Sequence, residues 1–166
     1  MAEIKTLIDG KSLSYEGVFN IKELYRIIDT WFRDRGYDKQ EIKNWEDVSE
    51  NEKQIVLEII PYKKISDYAR IDIRIFMIFS KLAEIDIDKD GLKHKMNKGR
   101  AEFYFDAYLV TDYENKWETT ATFFFIKNVI DKFIYRIYTS AYDAEAIRDC
   151  TEIENEIRSF LNMHKF

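Results

Sequence analysis

Cysteine is nearly absent from this sequence, and the one present, Cys150, excludes an intramolecular disulfide. Without a C-x-x-C pair there is no sulfur-based zinc site, and a lone cysteine serves as a core or helix-face residue. One proline and five glycines in 166 residues are too few for a collagen-like, repetitive or disordered chain. Histidine occurs twice, as His94 and His164, far apart and beside no recognisable nucleophile. The sequence contains no G-x-S-x-G elbow, P-loop, G-x-G-x-x-G or H-E-x-x-H. No stretch approaches ~18 uninterrupted apolar residues, so no membrane span is expected. The first residues, Met1 to Lys5, lack the apolar run and cleavage site of a signal peptide. Together these absences point to a cytoplasmic, reducing address and leave an enzyme without support.

Aromatic and charged side chains are abundant instead. Phe, Tyr and Trp make up 16% of the chain and fall mostly inside periodic segments, so a bulky core is their leading use and a ligand-lining surface the other. The 26 basic and 31 acidic residues give a net charge of -5. The whole-molecule field therefore repels phosphate backbones, and nucleic acid is expected only at a local basic patch. A chain of this length forms one domain, residues 1–166, because ~150 residues already bury about 70% of the unfolded-chain surface.

The most legible stretch runs from Tyr68 to Val110 and reads as a long β-hairpin. Ile71, Ile73, Ile75, Met77 and Phe79 alternate with polar residues, and Phe103, Phe105, Ala107 and Leu109 alternate on the return. Reversal at Asp90-Gly91 sets Met77 opposite Phe103, Ile75 opposite Phe105 and Ile71 opposite Leu109. A twenty-residue flat strand would reach about 66 Å, too long for this domain, so a bend or bulge is expected at Ser80 to Ala83.

Around that hairpin the other elements fall in order. Ile4 to Ile8, Asp9-Gly10 and Ser12 to Phe19 read as a short hairpin with a two-residue turn. Asn20 offers an N-cap with Glu23 three residues on. A first helix follows, with Leu24, Ile27, Ile28, Trp31 and Phe32 on one stripe and Gly36 as its stop. The charge-rich segment around Ile42, Trp45 and Val48 suits an edge strand. Ile55, Leu57 and Ile59 are expected opposite Ile75, Ile73 and Ile71. Trp117 to Phe125 reads as a last strand along the far side of the hairpin, with a helix as its alternative. A helix is expected from about Ile126, and a second one capped by Asp143, with Ile147, Cys150, Ile153, Ile157, Phe160 and Leu161 on its apolar stripe.

The fold class is therefore α+β: a curved antiparallel meander of about five to seven strands packed against an N-terminal helix and two C-terminal helices. In element order this resembles the helix-grip and cystatin-like architectures, some of whose members hold apolar ligands between sheet and helix. No sequence motif accompanies the resemblance, so it implies an arrangement and no activity.

Five groups of residues are candidates for a site. Asp86, Asp88, Asp90 and Gly91 have the D-x-D-x-D-G spacing of a calcium loop. Asn97 stands where a bidentate Glu is required, and lysines crowd the loop. A solvated hairpin end, with Glu84, Asp86 and Asp88 facing Lys93 and Lys95, is the leading reading, and no cofactor is predicted. Lys89, Lys93, His94, Lys95, Lys98 and Arg100 concentrate positive charge on the same hairpin and are the candidate interaction residues. Trp31, Phe103, Phe105 and Tyr108 are the candidate lining of a pocket between sheet and helices. Asp72 and Asp106 form a carboxylate pair that can meet across the sheet, for which a charge ladder with Arg70 and Arg74 is the leading reading. Phe123, Phe124, Phe125, Phe133, Tyr135 and Tyr138 pack in the core or, where exposed, mark a partner or membrane-surface site. The leading expectation is a non-enzymatic interaction module with a protein partner or self-association. A small-molecule binding protein is the alternative.

Overall fold

The computed structural model describes residues 3–38, 41–48, 53–111, 113 and 135–163. Six strands, β1 (Glu3–Phe19), β2 (Glu41–Val48), β3 (Lys53–Ile59), β4 (Tyr62–Lys64), β5 (Ala69–Lys89) and β6 (Leu92–Thr111), form one antiparallel sheet. Its order is β1-β6-β5-β3-β2, with β4 also against β5, and among the described strands the sheet does not close. Two helices, α1 (Ile21–Asp34) and α2 (Tyr135–Met163), complete the described α+β fold.

The long hairpin forms in the expected register, Met77 opposite Phe103, Ile75 opposite Phe105 and Ile71 opposite Leu109. Both turn residues, Asp90 and Gly91, have positive φ (56° and 78°), the paired left-handed conformation that matches strand twist in a two-residue hairpin. The register slips between Ser80 and Ala83, where Lys81 has φ of 53°. This bulge moves the inward side of β5 from odd to even residues. Beyond it Glu84, Asp86 and Asp88 continue the helix-bearing face, while Ile85 and Ile87 join Phe76 and Ile78 on the other.

One sheet face is almost wholly apolar: Ile71, Ile73, Ile75, Met77 and Phe79 of β5 lie against Ala101, Phe103, Phe105, Ala107 and Leu109 of β6, all buried. Leu24, Ile28, Trp31 and Phe32 of α1 and Ala146, Cys150, Ile153, Ile157, Phe160 and Leu161 of α2 cover it in one core. Phe103 touches Phe79 edge-on at 5.9 Å and stacks on Phe105 at 6.3 Å. Asn20 caps α1 by accepting the Glu23 N–H at 3.1 Å. At its other end the Tyr37 and Gly36 N–H groups return to the Phe32 and Arg33 carbonyls, a Schellman turn that needs the positive φ of Gly36 (77°).

Four expectations require correction. The N-terminal segment is one strand paired along β6, not a hairpin; Asp9-Gly10 forms a bulge within it, with Gly10 at φ 61° donating its N–H to the Asp106 carboxylate at 2.6 Å. Positive φ at an Asp-Gly pair suits either structure, and the open edge of β6 offers a far longer ladder than a local turn. Strand β3 sits four residues from its expected register, with Ile55 opposite Phe79 and Ile59 opposite Ile75. The turn is centred on Asp67 instead, where the Ser66 hydroxyl oxygen accepts the Tyr68 and Ala69 N–H groups. Because the shift is even, every apolar side chain keeps its face. Pro61 interrupts the hairpin arm between β3 and β4, yet its carbonyl still accepts the Ile73 N–H.

Third, two helices rather than three are present among the described residues, and α2 runs through Asp143 without a break. Inside a continuous helix the neighbouring N–H groups are already bonded, so Asp143 has none to cap and its carboxylate instead engages Lys5 of β1. Fourth, Ile147 is 42% exposed, and Ala146 takes its place on the buried stripe. The expected strand at Trp117 to Phe125, the helix start near Ile126 and the side chains of the aromatic run from Phe123 to Tyr138 lie outside what is described. The edge of β6 that the strand required is occupied by β1.

Polar contacts hold α2 down along its length. Lys5 and Lys11 of β1 reach Asp143 and Glu154, Lys63 of β4 reaches Glu145 at 2.8 Å, and the Tyr37 hydroxyl donates to Asp149 at 2.8 Å. Asp149 and Glu154 are the buried acids among the described residues of this helix. Neither described helix is long and apolar enough to cross a membrane.

Candidate functional site

Strand pairing divides the basic arm of the long hairpin in two. At the tip Lys93 stands opposite Asp88 and Lys95 opposite Asp86, so these lysines face carboxylates directly across the ladder. Lys89 closes the turn opposite Leu92, and His94 pairs with Ile87 on the reverse face. Asp86, Asp88 and Asp90 run along a strand end into a tight turn. Among the described residues no three His, Cys, Asp or Glu side chains are grouped to hold a metal ion.

Lys98 and Arg100 behave differently. They lie at the root of the hairpin, opposite Ala83 and Ser80 on one side and Val18 and Glu16 on the other. There the β5 bulge swings Lys81 onto the same surface. Lys81, Lys98 and Arg100 line a cleft of about 630 Å³ together with Glu16, Gly17, Ala83 and Gly99. Among the described lining residues, three cations against one carboxylate leave this concavity positive within a chain of net charge -5. Glu102 draws on Arg100 at 3.2 Å, whereas Lys81 and Lys98 have no carboxylate at ion-pair distance among the described residues.

Glycine shapes the floor of the cleft. A Cβ on Gly99 would stand 2.7 Å from the Ser80 carbonyl oxygen and 3.0 Å from that of Lys81, both backbone atoms of the bulge. The chains therefore approach closely only because residue 99 has no side chain. Lys81 was not among the cations singled out from sequence, since its side depends on the bulge. The excess strand length at Ser80 to Ala83 was the available signal.

The other candidates are spread over both sheet faces. Trp31, Phe103 and Phe105 are core residues of the helix-bearing side, and Trp31 also carries the Arg35 guanidinium 4.0 Å above its ring. Tyr108 points to the opposite face, into a shallow cleft with Tyr104, Phe76, Arg74 and Asp106, so the four do not converge on one pocket. On that face Arg74 bridges Glu58 at 2.6 Å and Asp106 at 2.7 Å, while Arg70 grips Asp72 at 2.7 and 2.8 Å. Asp72 lies opposite Tyr108 and Asp106 opposite Arg74, so each carboxylate takes an arginine and the charge ladder is what forms. Burial opposes the Arg74 charge, but its two carboxylates outweigh it and hold the guanidinium protonated. Burial raises the Asp72 carboxyl above its ordinary range despite Arg70. The Cys150 thiol is fully buried and pushed up to about 12, chiefly by burial, which keeps it from acting as a thiolate.

No family model matches the chain, and comparison with curated proteins yields no match.

Proposed function

We propose that the chain is a non-enzymatic interaction module that captures an acidic segment of a partner protein at the root of the β5–β6 hairpin. The observation that carries this reading is the cleft lined by Lys81, Lys98 and Arg100, a local reversal of the molecule's overall sign. Such a reversal steers an acidic ligand to one place while the remaining surface repels it. Glu16 is exposed on the β1 side of the cleft, which leaves room there for an extended segment. Among the described residues that line the cleft there is no ring, which argues against stacked bases and in favour of carboxylates. A single buried, unpaired thiol suits a protein that works in the reducing cytoplasm.

Fluorescence anisotropy with a labelled octaglutamate peptide tests the reading. The combined Lys81→Gln, Lys98→Gln, Arg100→Gln variant is expected to lose about tenfold in affinity or more, from ~0.5 kcal/mol or more per rim charge, and to show a shallower salt dependence. Lys89→Gln with Lys93→Gln at the tip is the control, with near wild-type binding. Equal loss in both variants, or no binding by the wild type, sinks the proposal. Tighter binding of a poly-dT oligonucleotide than of the peptide overturns the choice of partner.

A further inference from the structure

A second concavity, of opposite charge and unrelated to the hairpin, lies between α1 and the point where β3 gives way to β4. It encloses about 240 Å³. Its floor is apolar, made by Ile28 and Phe32 of α1 and by Ile59 and Pro61 of the sheet, with Tyr25 and Tyr37 as aromatic walls. Among the described lining residues, charge is carried by Asp29, Arg33 and Asp38.

The walls are fixed before any ligand arrives. The Schellman turn returns Tyr37 onto Phe32, whose rings meet edge-on at 5.2 Å. Beyond it Asp38 is tied to Tyr62 by two backbone hydrogen bonds of 2.8 and 2.9 Å, which pins the loop beside Pro61. The Tyr37 hydroxyl is anchored to the buried Asp149 of α2. A cleft held this way is a preorganised receptor, since binding needs little further ordering.

Size and charge define what fits. The volume falls below the ~300–1,000 Å³ of drug-sized sites, which selects a body of about one ring. Asp29 and Arg33 stand one helical turn apart on α1, so their charges offset each other. Among the described lining residues the exposed Asp38 is left as the excess negative charge. Carboxylate and aromatic faces together favour an ammonium group over a neutral or anionic one.

We propose that this cleft binds a compact organic cation, a primary ammonium carried on an apolar, ring-sized body. The ring lies on Phe32, Ile59 and Pro61, and the ammonium meets Asp38 at the mouth. The site is separate from the basic hairpin cleft and does not depend on the reading proposed for it.

Three probes of one shape test this by NMR titration at pH 7: phenethylamine, 2-phenylethanol and 3-phenylpropanoate. Phenethylamine is expected to bind saturably with shifts centred on Phe32, Tyr37 and Asp38. The alcohol is expected to bind at least tenfold more weakly and the acid not at all. Asp38→Asn should weaken the amine about tenfold and leave the alcohol unchanged, a comparison that separates lost charge from lost folding. Absence of saturable amine binding at millimolar concentration overturns the site. Equal affinity for the alcohol, or an unchanged amine affinity in Asp38→Asn, overturns the cationic specificity.

Discussion

Replacing Tyr37 by phenylalanine isolates one hydrogen bond that joins the end of α1 to the middle of α2. The ring remains, so its contact with Phe32 is preserved; what disappears is the 2.8 Å donation to Asp149. Both residues are buried, Tyr37 at 5% exposure and Asp149 at 3%. Hydrogen bonds to charged groups contribute about 1.5–3 kcal/mol, and Asp149 retains Arg148 only at 3.4 Å from the solvent side, so a loss of ~2 kcal/mol is expected at neutral pH. At ~2–4 °C per kcal/mol for a chain of this size, the melting temperature should fall by roughly 4–8 °C.

Alkaline pH supplies an independent check. Burial, reinforced by Asp149, raises the Tyr37 phenol above its ordinary value of 10.0. The unfolded chain therefore releases this proton first, and the stabilisation, complete below pH ~10, declines above it at ~1.36 kcal/mol per unit. The difference between wild type and Tyr37→Phe should narrow from ~2 kcal/mol at pH 9 to ~0.6 kcal/mol at pH 11, read from urea unfolding at each pH. A difference below ~0.5 kcal/mol at pH 7, or one that does not shrink between pH 9 and 11, refutes the assignment.

Other perturbations probe the core, the bulge and the acid limb. Phe105→Ala removes a fully buried ring stacked on Phe103 and should cost ~3–5 kcal/mol in chemical denaturation. Gly99→Ala forces a methyl group against two backbone oxygens and should cost about 1–3 kcal/mol while weakening acidic-peptide binding; a stability within ~0.3 kcal/mol of wild type contradicts the close approach. Burial opposes the Glu154 charge, but Lys11 and Arg158 outweigh it and hold the carboxyl below its ordinary range. Its stabilisation is therefore present above pH ~4.3 and lost as pH falls through the depressed value, so Glu154→Gln should differ most from wild type near neutrality and converge on it in acid.

Where local pattern and tertiary demand agree, the sequence was readable. Alternation in Ile71 to Phe79 and Phe103 to Leu109 fixed both the face and the register of the central hairpin, because a two-residue Asp-Gly turn leaves one pairing. The apolar stripe of α1, with Asn20 at one end and Gly36 at the other, was equally plain. The β3 register was not, since apolar parity is indifferent to an even shift and the turn is set by one hydroxyl, that of Ser66. Asp9-Gly10 misled because one backbone conformation serves a turn and a bulge. Asp143 misled because its partner, Lys5, is remote in sequence. The same remoteness hid the binding candidates: Lys81 joins Lys98 and Arg100 only through a bulge, and Asp38 comes beside Pro61 only through the bridge to Tyr62.

The placement of β1 has a kinetic consequence. Its ladder begins at Phe19 opposite Asn97 and ends at Glu3 opposite Thr111, so among the described strands β1 pairs with β6, synthesised long after it. The meander from β2 to β6 closes through neighbouring turns and needs no such wait. At ~5–20 residues per second on the ribosome, roughly 80 residues of delay leave β1 without its partner for about 4–16 s. During that interval a strand with Leu13, Tyr15 and Phe19 on one face is open to other chains. Docking of β1 onto β6, followed by the Lys5 and Lys11 contacts to α2, is then the step expected to limit the folding rate.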